Sequence, residues 1–250
     1  MQKGAPLSKL VAVLIAAWLV AAANGEAGTY VSLKGNFYIT YPDEWVQVDY
    51  RLVDMHLRLS GAGRAMLNYE AVFAPAGRDP FYSGSYCILT VDTVGEVSQQ
   101  QIDSVLGELE RTLGASVTFQ TVENVLAESN PRTPAYDAQA RTAVVLADIT
   151  EQDQFIKKHV MMMKFFSRGI ATFYFYSPES DFEAGKRVFA NIVSSFSTEN
   201  VDQIIPKEQL KVADLDEPVE PTQSPKRIYL YIGAALVLAV LVLLRLLKKS

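Results

Sequence analysis

The side chains that could support nucleophilic catalysis are few in this sequence and far apart. The chain contains one cysteine, Cys87, and two histidines, His56 and His159. A cysteine or serine nucleophile needs a base within hydrogen-bonding distance. His159 lies in an apolar run, where a packed side chain is the simpler interpretation, and the polar–apolar alternation around His56 predicts a solvent-facing ring. We therefore assign no catalytic residue and expect no enzymatic activity.

Metal and phosphate sites have equally little support. So few cysteines and histidines exclude a disulfide framework and a zinc site made from those residue types. The neighbouring carboxylates Asp43 and Glu44 lack the oxygen-rich loop of a calcium-binding hand. The glycine pair in residues 61–64 lacks the lysine and the strand-to-helix context of a phosphate-binding loop. We expect no cofactor and no metal.

The composition indicates a folded protein that does not bind nucleic acid. Its 250 residues are 49% hydrophobic and 20% charged, which is too apolar for a disordered chain. The formal net charge is −5, and no basic run interrupts the interior of the sequence. A phosphate backbone would require a basic surface.

The residues best suited to bind a partner lie in the region 52–86. This region contains glycines, the prolines Pro75 and Pro80, and several aromatic residues outside clear strand alternation. Loops held by a rigid scaffold commonly carry binding residues, and exposed aromatic and arginine side chains are frequent interface anchors. Our hypothesis is a partner-binding surface that includes Arg64, Arg78, Phe81 and Tyr82. Plain loop packing is the alternative.

Alternating or continuous apolar runs predict eight strands. They cover residues 36–41, 45–50, 66–73, 86–94, 117–126, 140–149, 155–166 and 170–176. The short segment 167–169 between the last two predicts a hairpin.

Two helices are marked by their ends. Ser98 and Gln101 form a capping box, and Gly114 ends the apolar stripe that follows. The second helix begins near Ser177, with Pro178 at its first position.

Both faces of the strand 155–166 are apolar, so both must be covered by other elements. The prediction is an α+β fold, namely a three-layer α/β/α sandwich with a mainly antiparallel sheet, followed by a C-terminal transmembrane helix.

The N-terminal segment predicts export. Residues 10–23 are uncharged and apolar, follow Lys3 and Lys9, and end in small residues. This order is typical of a secretory signal, which we place at residues 1–25. An uncleaved anchor helix is the alternative. In either case the basic residues stay in the cytoplasm and the middle of the chain lies outside it.

A second apolar segment, residues 228–244, contains neither charge nor proline. A helix of this length reaches roughly 25 Å and lengthens to residue 247 if Arg245 snorkels. We predict a single transmembrane helix over 228–247 and a cytoplasmic basic tail over 248–250, with a buried core helix as the alternative. The protein is then a single-pass cell-membrane protein whose main domain is periplasmic or extracellular.

Between these ends the chain divides into a domain, residues 34–198, and an acidic stalk, residues 199–227. Four prolines break any long helix in the stalk: Pro206, Pro218, Pro221 and Pro225. A flexible chain of about 30 residues spans on the order of 30 Å, so the stalk allows the domain to stand off the membrane.

The sequence GNFYITYPDEWVQV, residues 35–48, resembles the F-x-I-x-Y-P-x-x-W opening of PsbP-like domains. The strand ATFYFYSPESDF and the helix end IVSSFS resemble the close of the same domains, so the resemblance covers residues 35–197. It implies an α/β/α sandwich with an antiparallel sheet. The family includes photosystem subunits, lipoproteins and a GTPase-binding factor, and no catalytic motif unites them.

These observations predict a non-catalytic binding or assembly module that acts on another envelope component. The resemblance does not transfer a photosystem role, because the family's photosystem subunit is soluble and this chain has a predicted membrane anchor. A sensor of a small apolar ligand, or an enzyme whose site is scattered through the sequence, is the alternative.

Overall fold

The computed structural model describes residues 27–60, 66, 68–128, 133–150 and 156–204. The predicted signal peptide, the stalk beyond residue 204, the transmembrane helix, the basic tail and Arg64 lie outside these residues. None of the helices within these ranges has the length and apolar character that a membrane-spanning segment requires.

The strands within the described residues are β1 (Gly28–Ser32), β2 (Phe37–Tyr41), β3 (Trp45–Gln47), β4 (Tyr69–Pro75), β5 (Tyr86–Asp92), β6 (Thr118–Phe119), β7 (Ala135–Asp137), β8 (Thr142–Thr150), β9 (Ile156–Phe166) and β10 (Gly169–Pro178). Eight of them form the main sheet in the order β3-β4-β5-β10-β9-β8-β7-β6, and the hairpin β1-β2 forms a separate two-stranded sheet. Every pairing of these strands is antiparallel except that of β6 with β7.

Helices connect and cover these strands. They are α1 (Tyr50–Leu59), α2 (Gln99–Leu113), α3 (Val122–Ala127), α4 (Glu179–Ser194) and α5 (Val201–Ile204), and a 3-10 turn spans Phe81–Ser83. The α+β class and the mainly antiparallel sheet predicted from the sequence are thus confirmed. Regular structure extends past the predicted domain limits of 34–198, with β1 before them and α5 after them.

The best-predicted elements are those with strong local signals. The Ser98 hydroxyl accepts a hydrogen bond from the Gln101 backbone, and the Gln101 side chain accepts one from the Ser98 backbone. Gly114 ends α2 at a φ of 64°, a left-handed conformation that glycine adopts without strain. The β9–β10 hairpin is also confirmed. At its turn, a Cβ on Gly169 would lie 1.9 Å from the Asp92 carbonyl oxygen.

One face of the sheet, called the α4 face here, packs against α4 and the hairpin β1-β2. Phe189 of α4 stacks on Phe175 of β10 with ring centroids 4.3 Å apart. Phe37 of β2 stacks on Phe196 at 4.5 Å. Trp45 of β3, only 5% exposed, belongs to the same apolar core. This core joins residues from the beginning and the end of the described part of the chain.

The opposite face, called the α1/α2 face here, packs against two helices side by side. Val53 and Leu57 of α1 cover Val72 and Ile88 of the strands β4 and β5. The buried stripe of α2 covers the far half of the sheet and contains Ile102, Val105, Leu106 and Leu109, which pack with Met161, Met163, Phe165 and Ile170. Helices therefore lie on both faces of the sheet, and the three consecutive methionines are core residues.

Two predicted strands end early, and a capped helix follows each of them. Only residues 45–47 of the predicted strand 45–50 are β structure, because the Asp49 carboxylate accepts the Arg51 backbone N–H at 2.8 Å and starts α1. The predicted strand 117–126 is strand only at β6. Thr121 then caps α3 by accepting the Asn124 backbone N–H. A short polar side chain competes with sheet pairing at both points.

Candidate functional site

The 3-10 turn between β4 and β5 brings two of the four predicted binding residues against α1. The His56 ring, which α1 presents to this turn, stacks on the Tyr82 ring with centroids 4.1 Å apart and an interplanar angle of 14°. The His56 and Phe81 rings form an edge-to-face pair with centroids 5.4 Å apart. The turn and α1 therefore form one aromatic cluster at the surface of the α1/α2 face.

Phe81 differs from the sequence expectation, which treated it as an exposed anchor. Its side chain is 6% exposed and forms edge-to-face contacts with His56 and Tyr86. Tyr82, the next residue, is half-buried and borders the surface. Phe81 is thus the inward side of the turn, and its burial fixes where Tyr82 lies.

The solvent-facing prediction for His56 is wrong, because the residue is only 9% exposed. His56 follows Val53 by three residues and precedes Leu57 by one. A helix places these three side chains on one side, and that side faces the sheet. The His56 Nε2 lies 3.5 Å from the Tyr86 hydroxyl oxygen. The ring is therefore a packed element of the cluster.

The cluster continues across the sheet through rings on neighbouring strands. Tyr86 of β5 stacks on Tyr176 of β10 at 4.8 Å, and Tyr176 lies 4.7 Å from the His159 ring of β9. The second neighbour of His159 is Tyr174, parallel to it at 6.0 Å. These contacts follow from the strand register, which places Tyr86 and His159 on either side of Tyr176.

The His159 ring is uncharged near neutral pH. Burial lowers its pKa to about 4, and its Nε2 has no hydrogen-bond partner within the part of the chain that the structure describes. Burial also raises the pKa of the neighbouring Tyr174 to about 12, with a smaller contribution from the Asp92 carboxylate. The low dielectric surroundings favour the uncharged form of both side chains.

Arg78, the third predicted residue, lies on the exposed segment before the turn. Its side chain is 53% exposed, and Nη2 lies 3.9 Å from the Asp181 carboxylate at the start of α4. The fourth residue, Arg64, lies outside the described residues. The structure thus places Arg78 and Tyr82 at the surface, which we call the Arg78/Tyr82 surface.

The sheet itself separates the groups that could have formed a nucleophile and a base. Cys87 of β5 points into the α4 face, where burial raises its thiol pKa well above the usual value. His56 and His159 belong to the opposite face. Among the described residues, no three histidine, cysteine or acidic side chains are grouped to hold a metal ion.

An open groove of about 290 Å³ lies where β3 ends and the chain turns into α1, bordered by β4. A register shift in β4 at residues 69–71 makes Glu70 part of a β-bulge. The Glu70 carboxylate accepts the Tyr30 hydroxyl at 3.1 Å, and burial with this carboxylate raises the Tyr30 pKa. Bulges of this kind have no strong local pattern, so the sequence did not reveal the groove.

No family model and no curated protein sequence matches this chain. Among solved structures, it is similar to the cyanobacterial PsbP (CyanoP) from Synechocystis sp. PCC 6803, with 12% identity and a TM-score of 0.41, over 70% of this chain and 95% of that one. A crystal structure from Bacteroides thetaiotaomicron is similar with 11% identity and a TM-score of 0.37, over 67% of this chain. This chain spans 48%, about half, of that second protein.

PsbP-like domains are the family that the sequence motifs resemble, and a cyanobacterial PsbP is among the solved structures to which this chain is similar. Activity and partners depend on particular sites and do not follow from a shared fold.

Proposed function

We propose that this protein is a membrane-anchored binding or assembly module that acts on another envelope component outside the cytoplasm and catalyses no reaction. The observation that carries the proposal is the Arg78/Tyr82 surface. Arg78 is exposed on the segment before the turn, and Tyr82, half-buried on the turn itself, borders the surface next to the buried Phe81.

The physics of interfaces supports this assignment. Tyrosine and arginine are enriched among the residues that dominate binding energy. A side chain held in place before binding loses less conformational entropy when a partner docks. The Tyr82 ring contacts two neighbouring rings: it stacks on His56 with centroids 4.1 Å apart, and it lies at a steep angle to Phe81 with centroids 5.4 Å apart.

The topology in the proposal rests on the sequence. The signal pattern of residues 1–25, the acidic stalk and the apolar segment 228–247 together favour a single-pass protein with its domain outside the cytoplasm. The partner is an envelope protein, and the membrane is the second component that the chain contacts.

The test is crosslinking in cells that express the full chain, followed by identification of the crosslinked proteins. The test variant carries Arg64→Ala, Arg78→Ala and Tyr82→Ala. If these residues are interface anchors, we expect at least a tenfold loss of one specific crosslinked species. Phe81 stays unchanged because its removal would disturb the core.

The matched control carries Arg111→Ala and Phe119→Ala. Arg111 is a 74% exposed arginine on α2, and Phe119 is a 75% exposed aromatic residue on the edge strand β6. The control should crosslink like the unchanged protein. Equal crosslinking by the test variant and the control would remove the Arg78/Tyr82 surface from consideration, and turnover of a small molecule by the purified chain would favour an enzyme.

A further inference from the structure

The helix α1 exposes an apolar stripe that the domain does not cover. Leu52, Met55 and Leu59 are 50%, 52% and 77% exposed. They are spaced at i, i+3 and i+7, so they lie along one line of the helix. Val46 of the edge strand is also 45% exposed, and its register partner Ala74 packs with α1.

This exposed stripe lies next to the side of α1 that is buried against the sheet. The residues that pack on the sheet are Val53, His56 and Leu57. At about 100° of rotation per residue, Leu52 lies between the buried His56 and the exposed Leu59 around the helix. The apolar surface of α1 is thus wider than the sheet beneath it can bury.

Basic residues line the outer border of the stripe. Arg51 and Arg58 each precede a leucine of the stripe and are exposed. The acidic residues of this segment form other contacts. Asp49 caps the helix, and the Asp54 carboxylate accepts a hydrogen bond from the Tyr69 hydroxyl at 2.9 Å. Apolar residues bordered by arginine are the pattern of a helix that lies in the interface of an anionic membrane.

The length of chain beyond the described domain makes this contact accessible. Residues 205–227 separate α5 from the predicted transmembrane segment. A flexible chain of that length has a root-mean-square span of about 25–30 Å, so an anchored domain stays close to the bilayer and meets it at high effective concentration.

We propose that the stripe of Leu52, Met55 and Leu59, with Arg51 and Arg58, docks the domain onto the surface of an anionic lipid bilayer. This inference rests on the membrane anchoring of the proposed function. Docking leaves the anchored domain in a fixed orientation instead of turning freely on its stalk.

The test uses the full chain reconstituted into phosphatidylcholine vesicles with and without phosphatidylglycerol. Met55→Cys carries an environment-sensitive fluorophore, and Phe119→Cys is the matched control at an exposed apolar position on another element. Cys87 is buried, and its protection from the reagent reports that the domain is folded. We expect the label at position 55 to be quenched by lipid-borne quenchers when phosphatidylglycerol is present, and the label at position 119 to stay in water.

The arginines are tested by Arg51→Gln with Arg58→Gln in the Met55→Cys chain. Each arginine near an anionic surface is worth roughly a fivefold change in the docked-to-undocked ratio, and added salt should weaken docking in the same direction. A label at position 55 that stays in water in every vesicle would overturn the proposal. So would a label that is shielded from a water-soluble quencher but is not reached by the lipid-borne quenchers, which would assign the stripe to a second copy of the chain.

An alkaline wash separates this proposal from the anchor on which it rests. If the chain resists the wash but the label at position 55 stays in water, the result contradicts docking and leaves the anchor standing. If the label at position 55 is quenched by lipid but the wash removes the chain, the result contradicts the anchor and supports docking.

Discussion

The two faces of the main sheet bury side chains of different chemistry. The α4 face is built mainly from phenylalanine and aliphatic residues, with Trp45 and a buried Cys87 thiol among them and Tyr30 and Tyr41 packed at its border. The α1/α2 face contains both histidines and a row of tyrosines: Tyr82, Tyr86, Tyr174 and Tyr176. The α4 face is thus mainly apolar, whereas the α1/α2 face places imidazole and phenol groups beside α1.

The difference arises from how each face is covered. The helix α4 runs across its face and buries Phe182, Phe189, Ile192 and Val193. The two helices on the other face leave tyrosine rings half-buried between the cores that they cover. Aromatic residues with a polar end suit such a boundary, because their rings are buried and their hydroxyls reach a partner. We therefore expect function on the α1/α2 face.

The largest expected effect is on the α4 face. Phe189→Ala removes a fully buried ring that stacks on Phe175, and the free energy of unfolding should fall by roughly 3–5 kcal/mol. Urea unfolding of the full chain in mild detergent measures it. Phe119→Ala, an exposed control, should change stability by at most about 0.5 kcal/mol. Equal effects of the two changes would show that α4 does not close the core.

The second effect is a pH dependence specific to the α1/α2 face. His159 has a pKa of about 4 in the folded protein and about 6.5 when unfolded, so between these values only the unfolded chain binds the proton. Protonation therefore favours unfolding, and stability should fall by about 1–3 kcal/mol as the pH drops from 6.5 to 4. Unfolding midpoints across this range measure it.

His159→Phe is the matched variant for this pH effect. It keeps a planar ring between Tyr174 and Tyr176 and removes the buried Nε2 that has no partner among the described residues. The variant should be at least as stable as the unchanged protein at neutral pH and should lose the His159 share of the acid dependence. An unaltered pH profile would show that His159 is solvated in the folded state.

A smaller effect is expected at the start of α2. Ser98→Ala removes the hydroxyl that accepts the Gln101 backbone N–H, and should lower the free energy of unfolding by about 1 kcal/mol. Ser98→Asn keeps an accepting oxygen and should lose little. A thermal or urea transition of both variants decides the point, and an equal loss would mean that side-chain size rather than the cap matters.

The smallest effect concerns the link between the Arg78/Tyr82 surface and α4. Arg78 and Asp181 are both well exposed and 3.9 Å apart, so Asp181→Ala should change stability by less than about 0.5 kcal/mol. Crosslinking through Arg78 should persist, because the arginine does not depend on this pair for its position. Loss of crosslinking in Asp181→Ala would show that the ion pair orients Arg78.

Local signals explain which parts of the fold the sequence predicted. The capping box of α2 and the β9–β10 hairpin are encoded within a few residues, and both are confirmed. The helix α1 was missed because Met55, Leu57 and Leu59 alternate with polar residues, a strand-like pattern. Because the segment is a helix, these residues do not share one face. Leu57 is buried against the sheet, whereas Met55 and Leu59 are exposed.

The sequence by itself determined the apolar and polar character of each segment, the strong caps and the aromatic residues available for a site. Only the tertiary structure decided that Phe81 points inward beside a half-buried Tyr82, and that the sheet divides Cys87 from His56 and His159. The physical reason is that a side chain's face depends on register and on pairing between distant strands, such as β5 with β10. No local pattern specifies those pairings.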